Sequence, residues 1–211
     1  MYPVRSLTLL GISPNAPDSG FGNLQPPADS GIGMRPVKYL LGNTALLSVH
    51  PMSLNDRLTQ LHNREGFICA GAQLLEATGP GERWAFLLSL QVNFWKVVNQ
   101  ALGSEVGDRL LICAAASLRE VFRRSAIIGR LSTDRFAVLA RVASPFACTA
   151  LLRRLTDVTD QHSPAIHGLP LSLSGGFMQF DPRGPVSIPH LLDQADMRMN
   201  AMIAHDHRGM S

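Results

Sequence analysis

The sequence predicts an α+β fold, a ferredoxin-like sandwich in which helices cover a mixed or antiparallel β-sheet. Three observations predict it. The continuous apolar run at Trp84–Val92 has the length of a buried central strand. Residues 105–122 carry apolar side chains at three- and four-residue steps, the spacing of an amphipathic helix. Residues 125–142 hold two short apolar runs around a polar insert, a pattern typical of a β-hairpin.

The other elements follow from the same periodicities. Residues 64–77 place apolar side chains roughly on one helical face, and the segment "TGPGE" ends that helix. We further predict helices at 94–102, 147–160 and 188–204 and a strand within 169–180. The resulting order, α-β-α-α-β-β-α-β-α, mixes crossovers with a single hairpin. Such an order favours a mixed or antiparallel sheet.

The N-terminal quarter differs in composition from the rest of the chain. Residues 1–54 hold seven of the fourteen prolines and six glycines, with few charged side chains. Proline interrupts helices, and this stretch buries little apolar surface by itself. We therefore expect an irregular N-terminal segment over residues 1–54, followed by one domain over residues 55–211.

The overall composition excludes several classes of protein. At 211 residues, with 45% apolar and 17% charged residues, the chain has enough apolar side chains for a core. Its net charge of +3 is mild and no nucleic-acid-binding motif is present, so we expect no nucleic-acid partner. No apolar run approaches the roughly 18 residues that span a bilayer, and no signal-peptide pattern is present. We expect no membrane partner.

The three cysteines lie far apart in apolar surroundings, at Cys69, Cys113 and Cys148. Their odd number and wide spacing do not indicate a disulfide framework. We interpret them as buried thiols in a reducing compartment, and we expect a cytoplasmic protein.

The segment "NDRLTQLHNREGF" at residues 55–67 resembles the signature D-x-L-T-G-L-x-N-R-x-x-F of GGDEF domains, the diguanylate cyclase family. Gln60 stands where that signature has glycine. Four further segments are similar to family motifs, in the same order and with similar spacing: "LQVNFWKVVNQALGSEVGDRLL", "GRLSTDRFAVL", "LSLSGGF" and "LLDQADMRMNAM". The resemblance covers nearly three quarters of the chain, and it implies the nucleotide-cyclase-like form of the fold predicted above.

The resemblance also implies a reaction. Active family members bring together two GTP molecules, one on each of two protomers, and form cyclic di-GMP. A carboxylate at the end of the first strand of the domain and another in the hairpin turn hold Mg²⁺, which neutralises charge on the phosphates. Here the strand positions are Gln91 and Asn93, both neutral amides, and the turn carboxylate is Asp134.

The signature turn departs further from the family pattern. Ser132 and Thr133 replace its two glycines, Arg135 replaces its second acid and reverses the charge, and Asp134 and Phe136 are retained. Glycine permits positive φ and a close approach to phosphate, so side chains are obstructive if the turn needs either. We interpret Asp134 as a turn residue rather than a metal ligand.

These replacements make catalysis at the family rate improbable. Gln91 and Asp134 are the remnant positions of the family's metal site. We expect no catalytic residue and no cofactor. Mg²⁺ is expected to bind only if the protein has residual activity. The final helix departs as well, because Asn200 and Ile203 stand where the family has tyrosine and lysine.

The nucleotide-reading positions are retained. Asn99 and Asp108 match the family residues that hydrogen-bond the guanine edge, and Lys96 matches the lysine near the phosphates. An amide and a carboxylate suit the carbonyl, N1–H and amino group of guanine. The alternative is structural: Asn99 orders a loop, and Asp108 lies near the favourable N-terminus of a long helix.

A product-binding inhibitory motif, R-x-x-D, precedes the turn in many family members. Its register falls on residues 123–126, where Arg123 is retained but the acid is Ala126. The resemblance therefore implies a product-site remnant at Arg123 without high affinity for cyclic di-GMP.

The leading interpretation is a catalytically inactive GGDEF domain that acts as a regulatory or protein-interaction module in cyclic di-GMP signalling, with residual guanine-nucleotide binding. The alternatives are a weak diguanylate cyclase and a receptor for GTP or cyclic di-GMP. The resemblance implies a protein partner or a fused or associated EAL-type domain. A homodimer stays open, although no heptad stalk precedes the domain.

Overall fold

A five-stranded sheet forms the centre of the computed structural model, which describes residues 7–10, 54–79, 81, 84–122, 126–162 and 170–208. Each element predicted from residue 64 onward is present. In chain order, the described elements are β1 Leu7–Leu10, α1 Arg64–Glu76, β2 Trp84–Val92, α2 Trp95–Leu102, α3 Ser104–Phe122, β3 Ala126–Arg130, β4 Arg135–Val142, α4 Pro145–His162, β5 Leu173–Phe180 and α5 Ile188–Arg208.

The strand order is β1-β5-β2-β4-β3. Strand β1 runs parallel to β5, and every other neighbouring pair is antiparallel. The predicted mixed sheet of an α+β sandwich is therefore confirmed. Gln91 lies opposite Arg135 of β4 on one side and opposite Ser174 of β5 on the other, so the end of β2 is surrounded by sheet.

Alternating side chains of β2 point to two separate apolar cores. Phe86, Leu88 and Leu90 pack toward α3 and α4, whereas Leu87 packs toward α1 and α5. Residues of this central strand are buried on both faces, which explains why it reads as a continuous apolar run rather than an alternating one. Burial of each such side chain stabilises the folded state by about 1.5–3 kcal/mol relative to an exposed side chain.

Helix α5 lies directly on β5, because Gly176 leaves room for it. A Cβ at Gly176 would lie 2.5 Å from the carbonyl oxygen of Ala195 and 2.5 Å from the backbone nitrogen of Met199. Arg198 Nη1 also donates a hydrogen bond to the carbonyl of Phe177 at 3.1 Å. This close packing positions Asp196 over the end of the sheet.

Strand β1 was not predicted. Leu7–Leu10 pairs with β5 in the register Leu7↔Leu173, within the segment that the sequence analysis predicted to be irregular. It belongs to the same compact unit as the described residues from Leu54 onward. Four residues are too short a run to indicate a strand without the edge of β5 beside them. The rest of the 1–54 prediction, at 1–6 and 11–53, lies outside the described residues.

The prediction of three buried thiols was wrong at Cys69 and only partly right at Cys113. Cys148 is buried, Cys113 is half-buried and Cys69 is exposed. Helix α1 buries Phe67 and Gly71, and Cys69 lies two residues from each, on the opposite side of the helix. Within the described residues, no helix is long and apolar enough to cross a membrane.

Candidate nucleotide-binding site

One charged contact joins the first signature to the hairpin turn. Asp56 Oδ1 accepts hydrogen bonds from the backbone N–H and the hydroxyl of Thr59 at 2.8 and 2.7 Å. Arg130, the last residue of β3, donates from Nη1 to both oxygens of Asp56 at 3.1 and 3.2 Å, and from Nη2 to the carbonyl of Thr133 at 2.6 Å. Burial alone would raise the pKa of Asp56, but the hydrogen bonds from Thr59 and Arg130 outweigh burial and lower it.

Gln60, which replaces a signature glycine, has a left-handed backbone with φ of 57°. Its side-chain amide donates to the carbonyl of Arg57 at 2.7 Å. The left-handed conformation costs an L-residue about 1–2 kcal/mol relative to the right-handed one. The chain therefore keeps the backbone geometry that favours glycine although the glycine is gone.

The two remnant metal positions are hydrogen-bonded to each other. Gln91 lies one residue before the end of β2, and its Nε2 donates to Asp134 Oδ2 at 2.9 Å. The N–H of Val92 donates to the carbonyl of Asp134 at 2.9 Å. An ionised carboxylate only accepts hydrogen bonds, so the amide of Gln91 must present its nitrogen to Asp134. The structure thus brings the predicted pair together and joins the two side chains by one hydrogen bond.

The side chains that replace the turn glycines point to solvent. Ser132 and Thr133 are both exposed. Among the described residues, positive φ occurs at Gln60, Phe94 and Gly103, and not in this turn. The strain expected if the turn needed positive φ therefore does not arise. Phe136, the next signature residue, is fully buried.

Arg135, the first residue of β4, reaches α5. Its Nη1 lies 3.0 Å from Asp196 Oδ2, and its Nη2 donates to Asn200 Oδ1 at 3.3 Å. The other oxygen of Asp196 accepts a hydrogen bond from the hydroxyl of Ser89. Asp196 was not predicted to have a role, although it belongs to the motif "LLDQADMRMNAM" of the final helix. Arg135 thus occupies the position of the second signature acid as a paired cation.

Asn93, the second amide in the strand motif, links the end of β2 to residues of β5 and of the segment before it. Its Nδ2 donates to the hydroxyl of Ser172 at 3.0 Å, and its Oδ1 accepts from the hydroxyl of Ser174 at 3.0 Å. Its backbone N–H also donates to the carbonyl of Ser172 at 2.9 Å. Both ends of the amide are therefore occupied where β2 meets β5.

The predicted guanine-reading residues come from two adjacent helices. Asn99 on α2 lies against Gly107 on α3, where a Cβ would lie 2.7 Å from Asn99 Oδ1. Asp108 follows Gly107, and both Asn99 and Asp108 are half-buried, while Lys96 is exposed. Within the described part of the chain, the side chains of Asn99 and Asp108 form no hydrogen bond or ion pair. In the described residues, the Asn99 side chain therefore makes no hydrogen bond that would order the following loop, as the structural alternative requires.

A buried donor lies beside these two residues. Trp95 Nε1 is buried without a hydrogen-bond partner in the described structure, and it would lie 3.1 Å from a Cβ at Gly107. The sequence analysis did not identify Trp95, because a tryptophan in an apolar stretch indicates packing.

The family model described as "Diguanylate cyclase, GGDEF domain" matches residues 53–208. The chain belongs to the GGDEF domain family. Among curated relatives, the cyclic di-GMP phosphodiesterase NbdA of Pseudomonas aeruginosa is 32% identical over 108 residues, which cover 51% of this chain and 14% of NbdA. The probable diguanylate cyclase DgcC of Escherichia coli is 27% identical over 133 residues, covering 63% of this chain and 36% of DgcC.

Solved structures agree on the fold of this GGDEF domain. The GGDEF domain of FimX from Pseudomonas aeruginosa matches with a TM-score of 0.62 and 22% identity, over 71% of this chain and 93% of that one. At this identity the likeness shows the fold alone. The chain spans between 14% and 36% of the length of NbdA and DgcC, so their whole-protein activities are not transferred with the fold.

Two other parts of the GGDEF domain bear on the predicted sites. An apolar cavity of about 110 Å³ opens beside Asn93 and Phe94. Its lining includes Val98 and Leu110 but neither Asn99 nor Asp108. The predicted product-site remnant, Arg123, lies outside the described residues.

The side chains at the GGDEF turn are not suited to bind the Mg²⁺ ion that membership of the family implies. Magnesium requires hard oxygen ligands in a nearly octahedral arrangement. Asp134 already accepts a hydrogen bond from the amide nitrogen of Gln91, and the neighbouring side chain, Arg135, is a cation. No group of three or more His, Cys, Asp or Glu side chains in the described structure is placed to hold a metal ion.

Proposed function

We propose that this GGDEF domain is catalytically inactive and acts as a regulatory or protein-interaction module in cyclic di-GMP signalling. The hydrogen bond between Gln91 and Asp134 carries the proposal. Phosphoryl transfer between two GTP molecules needs metal ions and positioned charge at the phosphates. The side chains available for that task are an amide, an engaged carboxylate and an arginine paired with Asp196.

The alternative is a weak diguanylate cyclase that uses Asp134 and a magnesium ion held mainly by backbone carbonyls. Incubating the purified protein with GTP and Mg²⁺ or Mn²⁺, and measuring cyclic di-GMP by mass spectrometry, separates the two. We expect no product above a no-enzyme control. Product that disappears in Asp134→Ala would establish the cyclase and overturn the proposal.

A second candidate function is a receptor for guanine nucleotides. Asn99 and Asp108 favour it, because both side chains are half-buried and unengaged in the described structure, next to the buried N–H of Trp95. Calorimetry with GTP and with cyclic di-GMP tests it. We expect GTP to bind, and Asn99→Ala and Asp108→Ala each to weaken binding. Unchanged affinity in both variants would refute the assignment.

The partner and the location of the protein are part of the same proposal. NbdA continues far beyond the region that resembles this chain, which supports a partner that is a protein or a fused or associated EAL-type domain. We propose a cytoplasmic location and no cofactor. Sedimentation of the purified chain over a tenfold concentration range tests a homodimer.

A further inference from the structure

We propose that ion pairs and hydrogen bonds within the chain replace the divalent cation at the GGDEF turn, and that guanine nucleotide, if bound, binds without a metal. The first half of this inference goes beyond the absence of catalysis. The second half rests on the nucleotide binding proposed above. The residues that carry it are Gln91, Asp134, Arg135 and Asp196.

The sheet register places the side chains of Ser89, Gln91 and Arg135 on one face. Gln91 is the cross-strand partner of Arg135, and cross-strand partners project to the same side of a sheet. Ser89, two residues before Gln91, projects to that side as well. This is the side covered by α5, from which Asp196 meets both Ser89 and Arg135. Two sets of polar contacts, Gln91 with Asp134 and both Ser89 and Arg135 with Asp196, therefore form a cluster at the end of β2.

Each anionic group in the cluster already has a partner of the opposite polarity. The carboxylate of Asp134 accepts from the Gln91 amide at 2.9 Å. The carboxylate of Asp196 meets Arg135 at 3.0 Å through one oxygen and Ser89 through the other. A cation at Asp134 Oδ2 would displace the N–H donor of Gln91, and a cation at Asp196 would approach a guanidinium of the same charge; both are unfavourable.

The charge of the cluster supports the same inference. Asp134, Arg135 and Asp196 sum to one formal negative charge, whereas acids at positions 91 and 135 would raise that to four. Four neighbouring carboxylates require a cation, because like charges at this separation repel strongly. The arginine removes the need, since a side-chain cation now lies where the additional negative charge would be.

A triphosphate would meet a different environment here from that of an acid-bearing turn. Arg135 donates one of its five N–H groups to Asn200 and pairs its charge with Asp196, and 29% of its side chain is exposed. Lys96, on the first turn of α2, is exposed as well. These side chains can offset phosphate charge directly, so a metal bridge between phosphate and carboxylate is unnecessary.

Titration of the purified chain with MnCl₂, followed by calorimetry and by thermal unfolding, tests the first half. We expect no saturable heat and no rise in Tm for the wild type. The double variant Gln91→Asp/Arg135→Glu should gain both, with Mn²⁺ raising its Tm. The matched control Gln73→Asp/Arg153→Glu makes the same charge change at exposed helix positions and should gain neither.

Saturable Mn²⁺ binding to the wild type that is lost in Asp134→Ala would overturn the inference. Circular dichroism checks that the double variant is folded. If it is not, the wild-type titration with Asp134→Ala still decides the question.

Measuring GTP affinity in 5 mM MgCl₂ and in 5 mM EDTA tests whether the nucleotide binds without a metal. We expect the two Kd values to agree within about twofold. A loss of more than about tenfold in EDTA would contradict it. Absence of GTP binding in both buffers would instead refute the proposed nucleotide binding, and the Mn²⁺ titration would then decide the metal question alone.

Discussion

The guanidinium of Arg130 contacts both carboxylate oxygens of Asp56, at 3.1 and 3.2 Å. These residues belong to the two signatures that most clearly define the family, and the contact joins them across 74 positions of sequence. The same guanidinium holds the carbonyl of Thr133. The scaffold of the turn is therefore intact, although Gln91 and Arg135 stand where the family pattern has acids.

This contact predicts a specific pH dependence of stability. The pKa of Asp56 in the folded state is below its ordinary value of 3.8. Its stabilising contribution is thus fully present above about pH 4 and is lost as the pH falls through the folded-state pKa. Urea unfolding at pH 6 and pH 3 measures this effect. Between these pH values the free energy of unfolding should fall further in the wild type than in Asp56→Asn, by about 1–2 kcal/mol.

Other carboxylates titrate in both proteins, so the difference between the two losses isolates Asp56. Equal losses in the wild type and the variant would show that Arg130 and Thr59 do not hold this carboxylate in its charged form.

Gln60→Gly is predicted to stabilise the domain. Residue 60 has φ of 57°, which glycine adopts without the cost that other residues incur. The change also removes the hydrogen bond from Gln60 to Arg57, so we expect a net gain of about 0.5–1 kcal/mol in the free energy of unfolding. Chemical denaturation measures it. Gln60→Ala, which keeps the strain and loses the hydrogen bond, should be destabilising, and a stable alanine variant would contradict the explanation.

Gly107→Ala is predicted to weaken guanine-nucleotide binding without unfolding the domain. The added Cβ would lie 2.7 Å from Asn99 Oδ1, so the Asn99 amide must rotate away from its present position. Loss of one hydrogen bond to guanine corresponds to about a tenfold weaker Kd. Gly81→Ala, whose added Cβ would meet no atom of a described residue within 4 Å, is the control. Equal GTP affinity in Gly107→Ala and Gly81→Ala would show that Asn99 does not read the base.

The cysteines are predicted to differ in reactivity. Burial raises the pKa of Cys148 to about 11, against a smaller opposing effect of a hydrogen bond with Gln179, and burial also raises the pKa of Cys113. Cys69 is exposed. Because the thiolate is the reactive form, iodoacetamide at pH 7.5 should modify Cys69 first. Peptide mass spectrometry over time would show this order, and early labelling of Cys148 would contradict the burial.

Sequence periodicity determined the elements of the domain. Strand β2 has the predicted bounds, because a continuous apolar run bounded by polar and turn residues has few alternatives. The family was likewise evident, since motifs such as "NDRLTQLHNREGF" combine capping, turn and packing requirements in one short segment. The losses at Gln91 and Arg135 could also be read directly from residue identity.

Only the tertiary structure decided what those replacements do. Gln91 and Asp134 are 43 positions apart, and Arg135 and Asn200 are 65 apart, so no local pattern shows that they meet. Strand β1 forms only because the edge of β5 supplies its backbone partners, and Cys69 is exposed only because α1 packs through Phe67. Local preference follows from neighbouring residues in the chain. The polar cluster at the GGDEF turn depends instead on which distant side chains the folded sheet and α5 bring within hydrogen-bonding distance.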